Sequence, residues 1–207
     1  MKLLFLSLAT MRAAMERHDP DEAARQGMLS GPAVVAQALH AGDRLTQLAG
    51  IAAAPRVEDR FELLGDLARV AGGPDRRTAI PATQAAIAIA RELASHPQDD
   101  LAPVDLARWH DQWLAIADRG DRWIEVRVKA IEVAAALGEV PLSTDPDPAV
   151  RIAAIEATHA PLAEVVEKDV DDKVALVAAK LMCGDGVALT PAGEARMKAA
   201  RFTCGSR

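Results

Sequence analysis

Apolar positions in this chain recur every three or four residues, the period of one helix face, and not in the alternation of a strand. Leu4, Leu8, Met11 and Met15 open the series. The pattern breaks at Asp19-Pro20, Ser30-Gly31-Pro32, Gly42-Asp43, Pro55, Gly72-Gly73-Pro74, Pro97 to Pro103, Gly120-Asp121, Gly138 to Pro148, Ala160-Pro161 and Gly184 to Pro191. Gly and Pro at such points end helices and set turns. The segments between them are roughly 10 to 20 residues long, an ordinary helix length. Two or three lead-in helices are expected within 1–41. Further helices are expected near 43–54, 57–71, 75–95, 103–118, 121–137, 148–158, 161–168, 171–183 and 190–201. Pro32, Asp147-Pro148 and Thr190-Pro191 supply helix starts, and Gly138 a stop. No segment reads as a strand.

The apolar pattern also repeats at long range. Asp121, Asp145 and Asp169 are 24 residues apart, as are Val126, Val150 and Val174, and Ala130, Ala154 and Ala178. Ile131 and Ile155 agree in the next column, where Ala179 is smaller. Looser copies are expected from Asp43, with Leu48 and Ala52, and from Asp75, with Ile80. Repeated helical units cannot bury their apolar faces alone and must stack on neighbours. Ala in the repeated column lets helices approach closely, and the Val four residues earlier lies on the same face.

Composition sharpens this picture. Of 207 residues, 50% are hydrophobic, yet aromatics are only 3% with no Tyr, and Ala makes up about a fifth of the chain. Ala is the best helix former, whereas strands favour aromatic and β-branched residues. The length suits a single domain over 1–207. Its expected parts are capping helices in 1–41, repeats in 42–183, and a capping helix with a tail in 184–207.

An Asp before a helix, an apolar residue five on, a basic residue six on and Ala nine on resembles the opening of the second helix of a HEAT repeat. The resemblance is good for 121–182, weaker for 42–118 and absent elsewhere. It implies an all-α fold, an α-solenoid of stacked antiparallel helix pairs wound as a right-handed superhelix. In that family Asp and Arg form a ladder between successive repeats. The spacing carries this role to Asp121 and Arg127 and to Asp145 and Arg151. The third copy departs, with Ala175 where the Arg would stand, and so does the Asp43 copy, with Ala49. The 24-residue period is also shorter than the roughly 30 to 47 residues common in such families. Residues 138–147 are too short and broken to supply a full partner helix.

Charge narrows the partners. The formal net charge is −6. A phosphate-binding protein carries a basic face, so the balance argues against nucleic acid and favours a basic or neutral protein surface. A local basic strip stays compatible with it. No run of 18 apolar residues occurs, so no transmembrane span is expected. Met1-Lys2 and the apolar run to Ala9 admit two readings, a short signal peptide or an amphipathic helix. Cytoplasmic and exported locations therefore both stand.

Candidate chemistry is sparse. His18, His40, His96, His110 and His159 show no metal-ligand spacing, and no H-E-x-x-H occurs. No catalytic residue, cofactor or metal is expected. Trp109 and Trp113 lie one helical turn apart, and core packing suits them better than an interface hot spot. Asp169-Val170-Asp171-Asp172 lacks the Gly and closing Glu of a calcium loop and reads as an acidic first turn. Cys183 and Cys204 are either two reduced thiols or one disulfide pinning the tail in an exported protein. The expected function is a non-catalytic protein-binding scaffold. Its alternatives are an exported structural repeat protein and, through the resemblance alone, a DNA glycosylase or a bilin lyase.

Overall fold

The structure is a computed structural model that describes residues 2–96 and 102–204, with side chains from Leu6 onward outside the gap. The first half of the break at Pro97 to Pro103 lies outside the described residues, as does the end of the tail. Among the described residues there are twelve α-helices and no strand. They are α1 (Lys2–Glu16), α2 (Pro20–Ser30), α3 (Pro32–Leu39), α4 (Arg44–Ala53), α5 (Leu64–Ala71), α6 (Arg76–Ser95), α7 (Pro103–Ala117), α8 (Ile124–Leu137), α9 (Pro148–Ala157), α10 (Ala163–Lys168), α11 (Asp172–Gly184) and α12 (Pro191–Ala199).

Short polar side chains set the starts. Asp19, Asp43, Asp75, Asp147 and Asp171 each accept a backbone N–H of the helix that follows. Thr190 does the same for α12, accepting from the Gly193 amide at 3.1 Å. Each bond satisfies a donor that the first turn leaves without an intrahelical partner. One expected helix is shorter than its pattern. Within 57–71 the chain first makes a 3-10 turn at Arg60–Leu63, after Asp59 takes a left-handed φ of 52°. Val57, extended and buried, anchors this irregular entry into α5.

The chain divides into two compact units, residues 1–138 with α1 to α8 and residues 139–207 with α9 to α12. In the first, neighbours pair as α1 with α2, α3 with α4, α5 with α6, and α7 with α8. The even helices also touch in sequence, α2 to α4 to α6 to α8, and so do the odd ones, α1 to α3 to α5 to α7. In the second unit α9 touches α11, α10 touches α12, and α11 packs on both α10 and α12. In the first unit α1 also packs on α4, and small buried side chains line the seams between helices. Residues 139–147 form no helix.

The 24-residue columns are the buried ones. Val126, Val150 and Val174 are at most 1% exposed, and Ala130, Ala154 and Ala178 are fully buried. The looser copies are out of this register. From Asp43 the buried residues of α4 are Thr46, Ala49, Gly50, Ile51 and Ala53, while Leu48 and Ala52 are half-buried. From Asp75, Ala79 is buried and Ile80 is half-buried.

Gly27 shows how tight the seam is. A Cβ there would lie 2.3 Å from Ala53 Cβ, 3.2 Å from Met11 Cε and 3.3 Å from Val35 Cγ2. Helix propensity favours Ala over Gly by about 1 kcal/mol. Contact with a rigid methyl reverses that sign, because Ala53 has no rotamer to turn away. Gly27→Ala is expected to destabilise the first unit by about 1–3 kcal/mol. A thermal melt reads the result, and a raised midpoint would show that α2 can slide off α4.

Candidate functional site

The second unit holds the best-defined polar constellation. Two of its loops share one geometry. Asp145 Oδ1 accepts the Asp147 amide at 2.8 Å, and Asp169 Oδ1 accepts the Asp171 amide at 2.8 Å. Asp147 Oδ1 then accepts from the Ala149 amide, and Asp171 Oδ1 from the Lys173 amide, both at 2.8 Å. The sequence repeat therefore reappears bond for bond at the starts of α9 and α11.

Arg151, one turn into α9, joins the two loops. Its Nε and Nη2 donate to the two Asp169 carboxylate oxygens, each at 2.9 Å. Its Nη1 donates to the backbone carbonyls of Asp145 at 2.7 Å and Pro146 at 3.2 Å. The pair is largely shielded, with side chains 9% and 11% exposed. Burial pushes the Asp169 carboxyl upward, but the Arg151 hydrogen bonds, the Asp171 amide and the charges of Arg151 and Arg196 outweigh it and hold it below its usual value. The Asp169 hydrogen bonds raise Arg151 against its own burial. A bidentate Arg–carboxylate pair fixes orientation as well as charge.

The third copy has Ala175 where Arg151 stands in the second. Arg196 of α12 fills that role from another helix. Its Nη2 donates to the Asp169 carbonyl at 2.6 Å and to Asp172 Oδ1 at 2.8 Å, and its Nη1 to the Val166 carbonyl at 3.0 Å. The carbonyl of each loop's leading Asp thus accepts from a guanidinium.

The other ladder residues lie in the first unit. Asp121 pairs with Arg119 at 3.2 Å and Arg122 at 2.7 Å, both within two residues. These arginines lower its carboxyl. Arg127 is buried at 3% exposure, and its Nε donates to the Ala117 carbonyl at 2.9 Å. Arg127 ties α8 back to the end of α7.

Cys183, near the end of α11, and Cys204 in the tail are joined as a disulfide, with Cα atoms 5.6 Å apart and a sequence separation of 21. Trp109 and Trp113 are 3% and 0% exposed, which is core placement. Asp171 caps α11 while Asp169 is engaged by Arg151, so the acidic run serves a helix start. Among the described residues no group of three His, Cys, Asp or Glu could hold a metal ion. No helix there is long and apolar enough to cross a membrane.

Three contacts escaped the sequence reading. Asp169, as the partner of Arg151, was visible in the 24-residue column. Arg196 sits 27 residues beyond Asp169 and belongs to no column. His40 Nε2 lies 2.6 Å from Asp66 Oδ1 across 26 residues, with no sequence signal. In the first unit a groove of ≈ 350 Å³ between α5 and α7 has Gly65, Ala68 and Ile116 in its walls and Arg69 and Arg119 at its rim. Arg119 is paired with Asp121 and Arg69 donates to the Leu39 carbonyl at 2.9 Å. No protein-family model, curated protein or solved structure matches the chain.

Proposed function

We propose that this chain is a non-catalytic protein-binding module, an α-solenoid of HEAT-like helix pairs wound as a right-handed superhelix. The observation that carries the reading is the contact order within each unit, where helices pair with a neighbour in sequence and touch the next helix but one. Stacked helix pairs make such contacts, and their long faces commonly serve as binding surfaces. The repeated loop geometry joined by Arg151 and Asp169 adds support, since an inter-repeat Arg–Asp link is what the HEAT resemblance implies. The net charge of −6 favours a basic or neutral partner surface.

The test is an affinity pull-down of the tagged chain from its own organism, repeated with Glu156→Lys. Glu156 is exposed on α9, whereas Glu132 is already paired with Arg91 at 3.4 Å and would report that contact too. One stoichiometric protein that is lost from Glu156→Lys, with the helical circular dichroism signal unchanged, is the expected result. No bound protein, or tight low-salt DNA binding in a gel shift, overturns the reading.

The Cys183–Cys204 disulfide favours a second reading, an exported structural repeat protein, because disulfides persist in oxidising compartments. Intact mass from the native host decides it. A lost N-terminus and a mass two hydrogens low mean export, and a full-length reduced chain rules export out.

A further inference from the structure

We propose that α12 is a detachable cap on the second unit, and that the Cys183–Cys204 disulfide is the modification site that gates it. The argument starts from how little else holds α12. The helix has nine residues, below the roughly 12–15 at which an isolated helix becomes even marginal in water. Only Gly193 and Met197 are buried along it. Its remaining attachments are polar. They are the three Arg196 bonds, and a bond from Thr190 Oγ1 to the Glu167 carboxylate. Asp172, which takes one of the Arg196 bonds, is 83% exposed, so water competes directly there.

The tail closes over this weak contact. After α12 the chain turns at Arg201, with φ 58°, and the Phe202 amide donates to the Met197 carbonyl at 2.8 Å. Phe202 packs on the unit's core and, with Met197, Leu189 and Cys204, lines a partly open pocket of ≈ 230 Å³. The disulfide then returns the strap to the end of α11. Cys204 is exposed and Cys183 half-buried, so a soluble thiol can reach the bond.

The reductant is a dithiol. Its thiolate attacks one sulfur of the disulfide, forming a mixed disulfide and releasing the other cysteine as a thiolate. Its second thiol then displaces the mixed bond. Two electrons and two protons pass to Cys183 and Cys204, and the dithiol leaves as its own disulfide. With the closed loop opened, α12 loses the restraint that raised its local concentration at α10 and α11. The uncovered surface has Val166 at its centre, 1% exposed while capped, beside the Val166 and Asp169 carbonyls that Arg196 occupied. The two guanidinium–carboxylate bonds between Arg151 and Asp169 involve no atom of α12, so α9 and α11 are expected to stay folded.

The experiment is hydrogen–deuterium exchange by mass spectrometry on the full chain, oxidised and in dithiothreitol. Exchange protection of residues 191–199 is expected to fall about 100-fold on reduction, with α9 and α11 unchanged. The Cys183→Ser/Cys204→Ser double variant is expected to show the same open α12 without reductant and no response to it. Undiminished protection of α12 in the reduced chain overturns the proposal. So does loss of protection across α9, α11 and α12 together, which would make the bond a staple of the whole unit. A response to dithiothreitol that survives in the double variant overturns it as well.

Discussion

Arg151→Ala is expected to destabilise the unit of residues 139–207 by about 3–5 kcal/mol, the usual cost of removing one member of a buried ion pair. The loss is large because Asp169 would keep its charge in a site only 11% exposed, without the two guanidinium bonds that compensate its desolvation. The carbonyls of Asp145 and Pro146 would lose their donor at the same time. Arg196 cannot take over, since it is committed to the opposite side of the loop, at the Asp169 and Val166 carbonyls. Thermal unfolding followed by circular dichroism reads the effect on this unit. The Arg151→Met/Asp169→Leu double variant is expected to regain much of the stability, because apolar groups of similar volume leave no buried charge.

The same pair fixes a pH dependence. Asp169 is held below its usual value in the folded chain, so it binds its proton less readily there than when unfolded. Its contribution is therefore full above the unfolded carboxylate range, near pH 4, and is lost as pH falls through the lower folded value. In Arg151→Ala the main lowering influence is gone and burial pushes Asp169 upward. The variant's deficit should then shrink as the solution is acidified and Asp169 takes up its proton. A deficit that stays constant from pH 7 to pH 3 would mean that Arg151 acts only through packing and its carbonyl contacts.

Helices and their seams were legible in the sequence because each rests on local chemistry. The Asp and Thr caps, the Pro at first turns and the three- and four-residue apolar spacing are all read within one turn. The columns at Val126, Val150 and Val174 and at Ala130, Ala154 and Ala178 were legible because the same packing problem is solved three times with the same residues. What the pattern did not carry was the register of the looser copies and the contacts made between distant segments. The Asp43 copy keeps a cap but buries Ala49 and Ala53 in place of Leu48 and Ala52, since capping fixes where a helix starts and not which face it turns inward. Asp121 contacts two arginines within two residues of itself, and its repeat column carries no sign of either contact. Arg196 was invisible, because its link to Asp169 is made by the fold and has no counterpart in the repeat.

Trp113→Ala is expected to cost the first unit about 3–5 kcal/mol. Trp113 is fully buried on α7, a helix that touches α5 and α8, in a chain with six aromatic residues. The composition pushes this cost toward the upper end. A cavity left in a Leu- or Met-rich core is partly refilled when long side chains change rotamer. The neighbouring α8 carries fully buried alanines at Ala130 and Ala134, and a methyl group has no rotamer to offer. Closing the void would need whole helices to move, which the tight seams resist. Trp113→Phe should cost much less, because the indole Nε1 meets no acceptor and its removal breaks no hydrogen bond. Denaturant unfolding monitored by circular dichroism separates the two variants. If Trp113→Ala unfolds like the parent and instead releases a bound protein, the residue is a binding hot spot and its placement in the core is wrong.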